Sequence, residues 1–132
     1  MKLVLDEEGT PDARTLWDEV RVVTSVVLIY AEAHAAIAAA ERVGRLAAHD
    51  LRPVRRELDG YLNEMTLVEV DLPLARHAAD LAERHGLPGY DAVHLATALA
   101  IADPDLVVAT WDDELARATR DEGRLVAPCS SP

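Results

Sequence analysis

Apolar and polar positions repeat along the chain with two periods, one typical of helices and one typical of strands. Because segments of the two kinds alternate, the pattern predicts a single α/β domain over residues 1–132, with a mainly parallel central sheet flanked by helices. Helices are predicted at Pro11–Glu19, Val26–Val43, His49–Met65, Pro73–His85, Pro88–Leu99 and Asp112–Glu122. Runs rich in β-branched residues predict strands at Arg21–Ser25, Thr66–Val70, Asp105–Thr110 and Leu125–Ala127.

The segment that follows Pro88 and Gly89 is apolar on nearly every side, which is typical of a buried helix. Asp91 falls in the first turn of this helix, and its neighbours on the same row are Leu95 and Ala98. A buried lone charge is costly, so a backbone amide, a cation or a metal ion is expected near Asp91. In the alternative interpretation, Asp91 only complements the helix dipole.

Two more acidic residues stand at unusual positions. Glu32 is the only carboxylate between Arg21 and Glu41. Asp112 follows a predicted strand, at the carboxyl edge of the sheet where α/β folds place ligand sites. Converging carboxylates there would suit Mg²⁺ or Mn²⁺, which can activate water for phosphodiester hydrolysis.

Each of these positions also has a structural interpretation. Glu32 could face solvent at a helix edge. The stretch from Thr110 to Asp113 has the form of a capping box, in which Thr110 caps the next helix and Asp113 reaches back. This assignment explains Asp113 and leaves Asp112 as the better site candidate. The five histidines form no zinc pattern, and His94 is predicted to be a packed or hydrogen-bonded residue.

Composition narrows the class of protein. The net charge of −11 argues against broad electrostatic attraction of nucleic acid, but permits local contacts or a basic partner. Five arginines, at positions 42, 45, 52, 55 and 56, form either a solvated helix face or a surface that contacts phosphates. The single Cys129 excludes a disulfide framework. Without a signal-peptide pattern or an uninterrupted apolar span, a cytoplasmic location and no membrane association are expected.

Three motifs in order resemble those of PIN-domain ribonucleases, in particular VapC-type toxins of bacterial toxin–antitoxin pairs. The first motif is Thr24-Ser25 followed by Glu32, the second is residues 89–96, and the third is residues 108–115. The resemblance covers essentially the whole chain. It implies Mg²⁺- or Mn²⁺-dependent endonucleolytic cleavage of RNA, inhibition by a cognate VapB-type antitoxin, and a homodimer. Glu32, Asp91 and Asp112 match the family's catalytic and metal-binding acids, and Thr110 matches the small hydroxyl residue beside them.

The beginning of the chain departs from the family pattern. The family opens with a central strand that carries a further metal-binding Asp, whereas residues 1–9 resemble the helix that follows this strand. Asp6 aligns near the end of that helix and is no substitute. The absence of this strand would leave backbone groups unpaired and weaken metal binding. A second hypothesis is therefore a truncated or degenerate, inactive PIN domain that binds an antitoxin or dimerises. A third, an unrelated all-helical acidic domain, predicts no strands.

Overall fold

The computed structural model describes residues 2–5 and 7–128, and confirms the predicted α/β class. These residues form six helices and four short strands, which contradicts the all-helical hypothesis. In chain order they are α1 (Thr10–Glu19), β1 (Thr24–Val26), α2 (Ile29–Arg42), α3 (Leu51–Glu64), β2 (Thr66–Val68), α4 (Leu72–His85), α5 (Gly89–Ala100), β3 (Val107–Ala109), α6 (Asp113–Asp121) and β4 (Leu125–Ala127). A single 3₁₀ turn, Ala48–Asp50, precedes α3.

The four strands form two pairs. β1 pairs with β2, and β3 pairs with β4; within the described ranges no third strand joins either pair. The β3–β4 pair is parallel, with Val107 opposite Leu125 and Val108 opposite Val126. Helix α6 connects these two strands, as a parallel pair requires.

The start of the described chain is a turn and not a helix. Helix α1 was predicted to begin at Pro11, but its first residue is Thr10, and Gly9 precedes it with a left-handed φ of 86°. The Thr10 hydroxyl donates to the Leu5 carbonyl at 3.0 Å and accepts from the Glu7 N–H at 2.9 Å. Residues 2–4 form turns, and the two hydrogen bonds tie Leu5 and Glu7 to the start of α1. Asp6 lies outside the described residues, as does Cys129.

The chain divides after Leu67 into two compact units, each with its own core. In the first unit, α2 and α3 pack through Ile37, Ala40, Leu58 and Leu62. His34 of α2 lies 3.5 Å from the Asp59 carboxylate of α3, measured from Nε2 to Oδ1. The two helices are consecutive, so this contact pairs them as an antiparallel hairpin.

In the second unit, α4 and α5 pack through Leu81 and Leu95, both fully buried. Helix α4 begins at the side chain of Asp71, which accepts from the Leu74 N–H at 2.9 Å, and ends at Gly86, whose φ is +66°. These termini match the predicted helix because capping residues act locally. Among the residues described, no helix has the length and apolar character needed to cross a membrane.

Candidate functional site

Helix α5 carries the first predicted site residue. Ala92, Leu95 and Ala96 are completely buried, which confirms the prediction of a buried helix. Asp91 lies in the first turn and is half-buried. The first turn of a helix favours negative charge, because its N–H groups have no partner within the helix.

The start of helix α6 carries the second predicted site residue. Asp112 has extended backbone angles, and its Oδ1 accepts from the Leu115 N–H at 2.8 Å. Asp112 is therefore the N-cap of α6, and the prediction that Thr110 would cap with Asp113 reaching back is wrong. The Thr110 hydroxyl instead accepts from the Asp112 N–H at 3.1 Å and holds the turn that leads to the helix. The cap uses one of the two carboxylate oxygens of Asp112.

Asp91 and Asp112 both belong to the second unit, in the first turn of α5 and at the N-cap of α6. The Arg124 guanidinium, just before β4, donates to the Ile101 carbonyl at 3.1 Å and to the Asp103 carbonyl at 3.3 Å. The C-terminal end of α5 is therefore beside the amino edge of β4. Asp112 follows β3 at the carboxyl end of that strand, and helix α6, which it caps, packs against α5.

The third predicted residue, Glu32, belongs to the first unit. It is exposed in the first turn of α2, and its backbone N–H donates to the Leu28 carbonyl at 3.2 Å. All three predicted acids thus stand at helix N-termini.

The donor set can be compared with the needs of a divalent cation. Over residues 2–5 and 7–128, no group of three or more His, Cys, Asp and Glu side chains is placed to hold a metal ion. Mg²⁺ usually binds to one or two carboxylates and completes its shell with water and substrate phosphate. The carboxylates of Asp91 and Asp112 match this requirement in ligand type and number.

His94 lies on the same helix as Asp91, about one turn further along. Its ring packs edge-on against the Tyr90 ring, with 4.5 Å between the centroids and 85° between the planes. Burial lowers the pKa of His94 below its ordinary value of 6.5, because it disfavours the protonated ring. The structure agrees with the prediction of a packed residue.

A second cluster of charged residues joins α4 to the end of α6. The Glu122 carboxylate accepts from the Arg84 guanidinium and lies within hydrogen-bond distance of His85 Nε2, both at 2.7 Å. These hydrogen bonds, with His85 first, lower the pKa of Glu122. No sequence pattern indicated this cluster, because Glu122 is 37 residues from His85 and 38 residues from Arg84.

A surface cleft of about 340 Å³ also lies in the second unit. It is lined by Val68 at the end of β2, by the segment before α4, by residues of α4, and by Ala100 at the C-terminal end of α5, the end opposite Asp91. Its polar lining includes Asp71, whose carboxylate already caps α4. The cleft is therefore separate from the first turn of α5, which carries Asp91.

Comparison with known proteins gives consistent matches along the chain. The PIN domain family matches residues 1–121. Ribonuclease VapC45 of Mycobacterium tuberculosis (strain CDC 1551 / Oshkosh) is 41% identical over 128 residues, which cover 97% of this chain and 89% of the relative. Ribonuclease VapC49 of Mycobacterium tuberculosis (strain ATCC 25618 / H37Rv) has the same identity and coverage. The similarity thus extends well beyond the three motifs.

Proposed function

The chain belongs to the PIN-domain family, and on that premise we propose that it is the toxin of a type II toxin–antitoxin pair, an endoribonuclease that hydrolyses RNA phosphodiester bonds with a divalent metal. One observation carries the proposal: 41% identity over 97% of the chain to two proteins named ribonuclease. The match to the family over residues 1–121 supports treating both units as parts of one PIN-like domain.

The proposed catalytic and metal-binding residues are Asp91, Asp112 and Glu32. Asp91 and Asp112 would hold Mg²⁺ or Mn²⁺ at the carboxyl edge of β3 and β4, with Glu32 as the further acid that the motif match predicts. A divalent cation there would activate water and stabilise charge on the phosphate and leaving oxygen. The chain's contribution is positioning: Thr110 fixes the backbone of Asp112, and a buried helix fixes Asp91.

The proposed partners follow from the same family membership. They are an RNA substrate, a cognate VapB-type antitoxin and a second copy of the chain. The relatives' names support the antitoxin, since VapC toxins are paired with VapB proteins. We propose a cytoplasmic location, where an RNA substrate and an antitoxin would be available.

The proposal is tested by incubating the purified chain with RNA in Mg²⁺, in Mn²⁺ and in excess EDTA. We expect cleavage in either metal and none in EDTA. Asp91→Asn removes one negative charge with almost no change in shape, so it should abolish cleavage and leave the far-UV circular dichroism spectrum unchanged. RNA that stays intact in both metals, together with binding of a VapB-type antitoxin, would refute the nuclease and support an inactive antitoxin-binding module.

A further inference from the structure

The α2–α3 hairpin carries a local excess of positive charge in an acidic protein. Five arginines fall within residues 42–56, where Asp50 is the only acidic residue. All five are exposed. We call this set the basic tip; its members are Arg42, Arg45, Arg52, Arg55 and Arg56. Because the whole chain has a net charge of −11, this is a marked reversal of sign over a short segment.

The five arginines lie near the closed end of the hairpin. Helix α2 ends at Arg42 and α3 begins at Leu51, with Arg45 in the connection. The contact between His34 and Asp59 lies about 12 Å along each helix from that end, at a rise of 1.5 Å per residue. Leu46, Leu51 and Val54 pack against the core of this unit, so the connection is anchored beneath the arginines.

Most of the basic tip has no acidic partner. Arg45 lies 3.1 Å from the Glu7 carboxylate. In the described part of the chain, the other four arginines form no ion pair or side-chain hydrogen bond. Asp50 is 3.4 Å from His49 instead, and Asp59 is beside His34.

The arrangement is unfavourable for the helix itself. Arg52, Arg55 and Arg56 stand in the first two turns of α3, where cations oppose the helix dipole, and the first turn holds no acidic residue. Arg52 is also three and four residues from the other two, a spacing at which like charges repel. Of these three arginines only Arg55 has an aspartate four residues later, Asp59, and that carboxylate lies beside His34.

We propose that the basic tip binds the phosphate backbone of RNA. The proposal rests on the ribonuclease function proposed above and assigns a surface of the first unit to the substrate. A polyanion is repelled by the chain as a whole, so RNA binding needs a local cationic surface. Unpaired guanidinium groups suit phosphate oxygens because they present several donors in a planar fork. Such contacts hold the strand without reading its sequence.

The test measures binding of a fluorescein-labelled, unstructured RNA oligonucleotide by anisotropy over a series of salt concentrations. Every protein carries Asp91→Asn so that the RNA stays intact. The test variant adds Arg52→Ala and Arg55→Ala, and the control adds Arg14→Ala and Arg76→Ala, which removes the same charge from exposed helical positions elsewhere. Unchanged far-UV circular dichroism and Tm establish that each variant is folded.

Two phosphate contacts contribute about 1.4 to the slope of log K against log salt on single-stranded nucleic acid. We expect the basic-tip variant to lose this amount of slope and about twentyfold in affinity at 0.1 M salt. The control should bind as the parent does. The variant with Arg52→Lys and Arg55→Lys keeps the charge, so it should retain most of the slope. If the alanine variant unfolds, this lysine variant serves as a folded comparison. A second test variant, with Arg42→Gln and Arg56→Gln, should then show the same loss of slope and affinity.

Three results would overturn the inference. If the basic-tip and control variants bind RNA equally while the unmutated chain cleaves RNA in Mg²⁺, the surface assignment is wrong and the proposed function stands. If the basic-tip variant keeps its RNA affinity but no longer binds the VapB-type antitoxin, the surface belongs to a protein partner. If the unmutated chain neither binds nor cleaves RNA, the proposed function fails, and the inference fails with it.

Discussion

Asp112 has a structural role that can be separated experimentally from its proposed catalytic role. Its carboxylate caps α6 through the Leu115 N–H, and the same carboxylate is proposed to bind the metal. The capping-box pattern was a reasonable guide to the helix start but chose the wrong residue. The pattern could not show that Thr110 bonds to the Asp112 N–H, because this depends on the backbone angles of the turn.

Substitutions at Asp112 should therefore separate stability from activity. Asn caps a helix about as well as Asp, so Asp112→Asn should unfold in urea at nearly the same midpoint as the parent. Asp112→Ala removes the cap and should lower the free energy of unfolding by about 1 kcal/mol. Both variants should lose RNA cleavage, because both lack the carboxylate. An active Asp112→Asn would show that Asp112 is only a cap.

At the scale of elements, helices were predicted better than strands. The end of α4 at Gly86 and the start of α5 after Pro88 agree with prediction, because these signals act within a few residues. The first strand was predicted over Arg21–Ser25, but β1 is Thr24–Val26. Strand position depends on which side chains become buried, and Val26 is completely buried while Val22 is 65% exposed.

The contact between α4 and α6 gives a pH dependence that sequence could not reveal. The hydrogen bonds from His85 and Arg84 stabilise ionised Glu122 and lower its pKa below the ordinary value of 4.5. A lowered carboxyl pKa stabilises the folded state above the unfolded-state pKa, and this contribution is lost as pH falls through the folded-state value. Because the Arg84 side chain is 59% exposed, solvent weakens its ion pair with Glu122, and we expect a modest effect.

Urea unfolding between pH 7 and pH 3 measures this contribution. Glu122→Gln should be less stable than the parent at pH 7, and the difference should shrink below about pH 4.5 as the parent's carboxylate becomes protonated. Glu83→Gln, an exposed residue of α4, is the matched control and should follow the parent at every pH. If the stability difference between Glu122→Gln and the parent stays constant down to pH 3, the charge of Glu122 is not its cause.

At the scale of the whole molecule, the sequence predicts one domain, whereas contacts divide the chain after Leu67. Each unit has its own core, with Ile37 in the first and Leu95 in the second, and both side chains are completely buried. The family match runs through the division, from residue 1 to residue 121. The division into units reflects contacts within each unit, whereas the family match covers most of the chain. The cooperativity of unfolding therefore distinguishes one domain from two.

We expect the chain to unfold as one domain. Ile37→Ala and Leu95→Ala should each lower the free energy of unfolding by about 2–5 kcal/mol, because each leaves a cavity in a core. If the domain is cooperative, both substitutions shift a single transition that circular dichroism and tryptophan fluorescence report at the same urea concentration. Ala79→Ser, at an exposed position of α4, is the control and should leave the midpoint unchanged. Two transitions, each displaced by only one of the core substitutions, would instead mean that the units fold independently and that Asp91 and Asp112 belong to a second unit that is stable without the first.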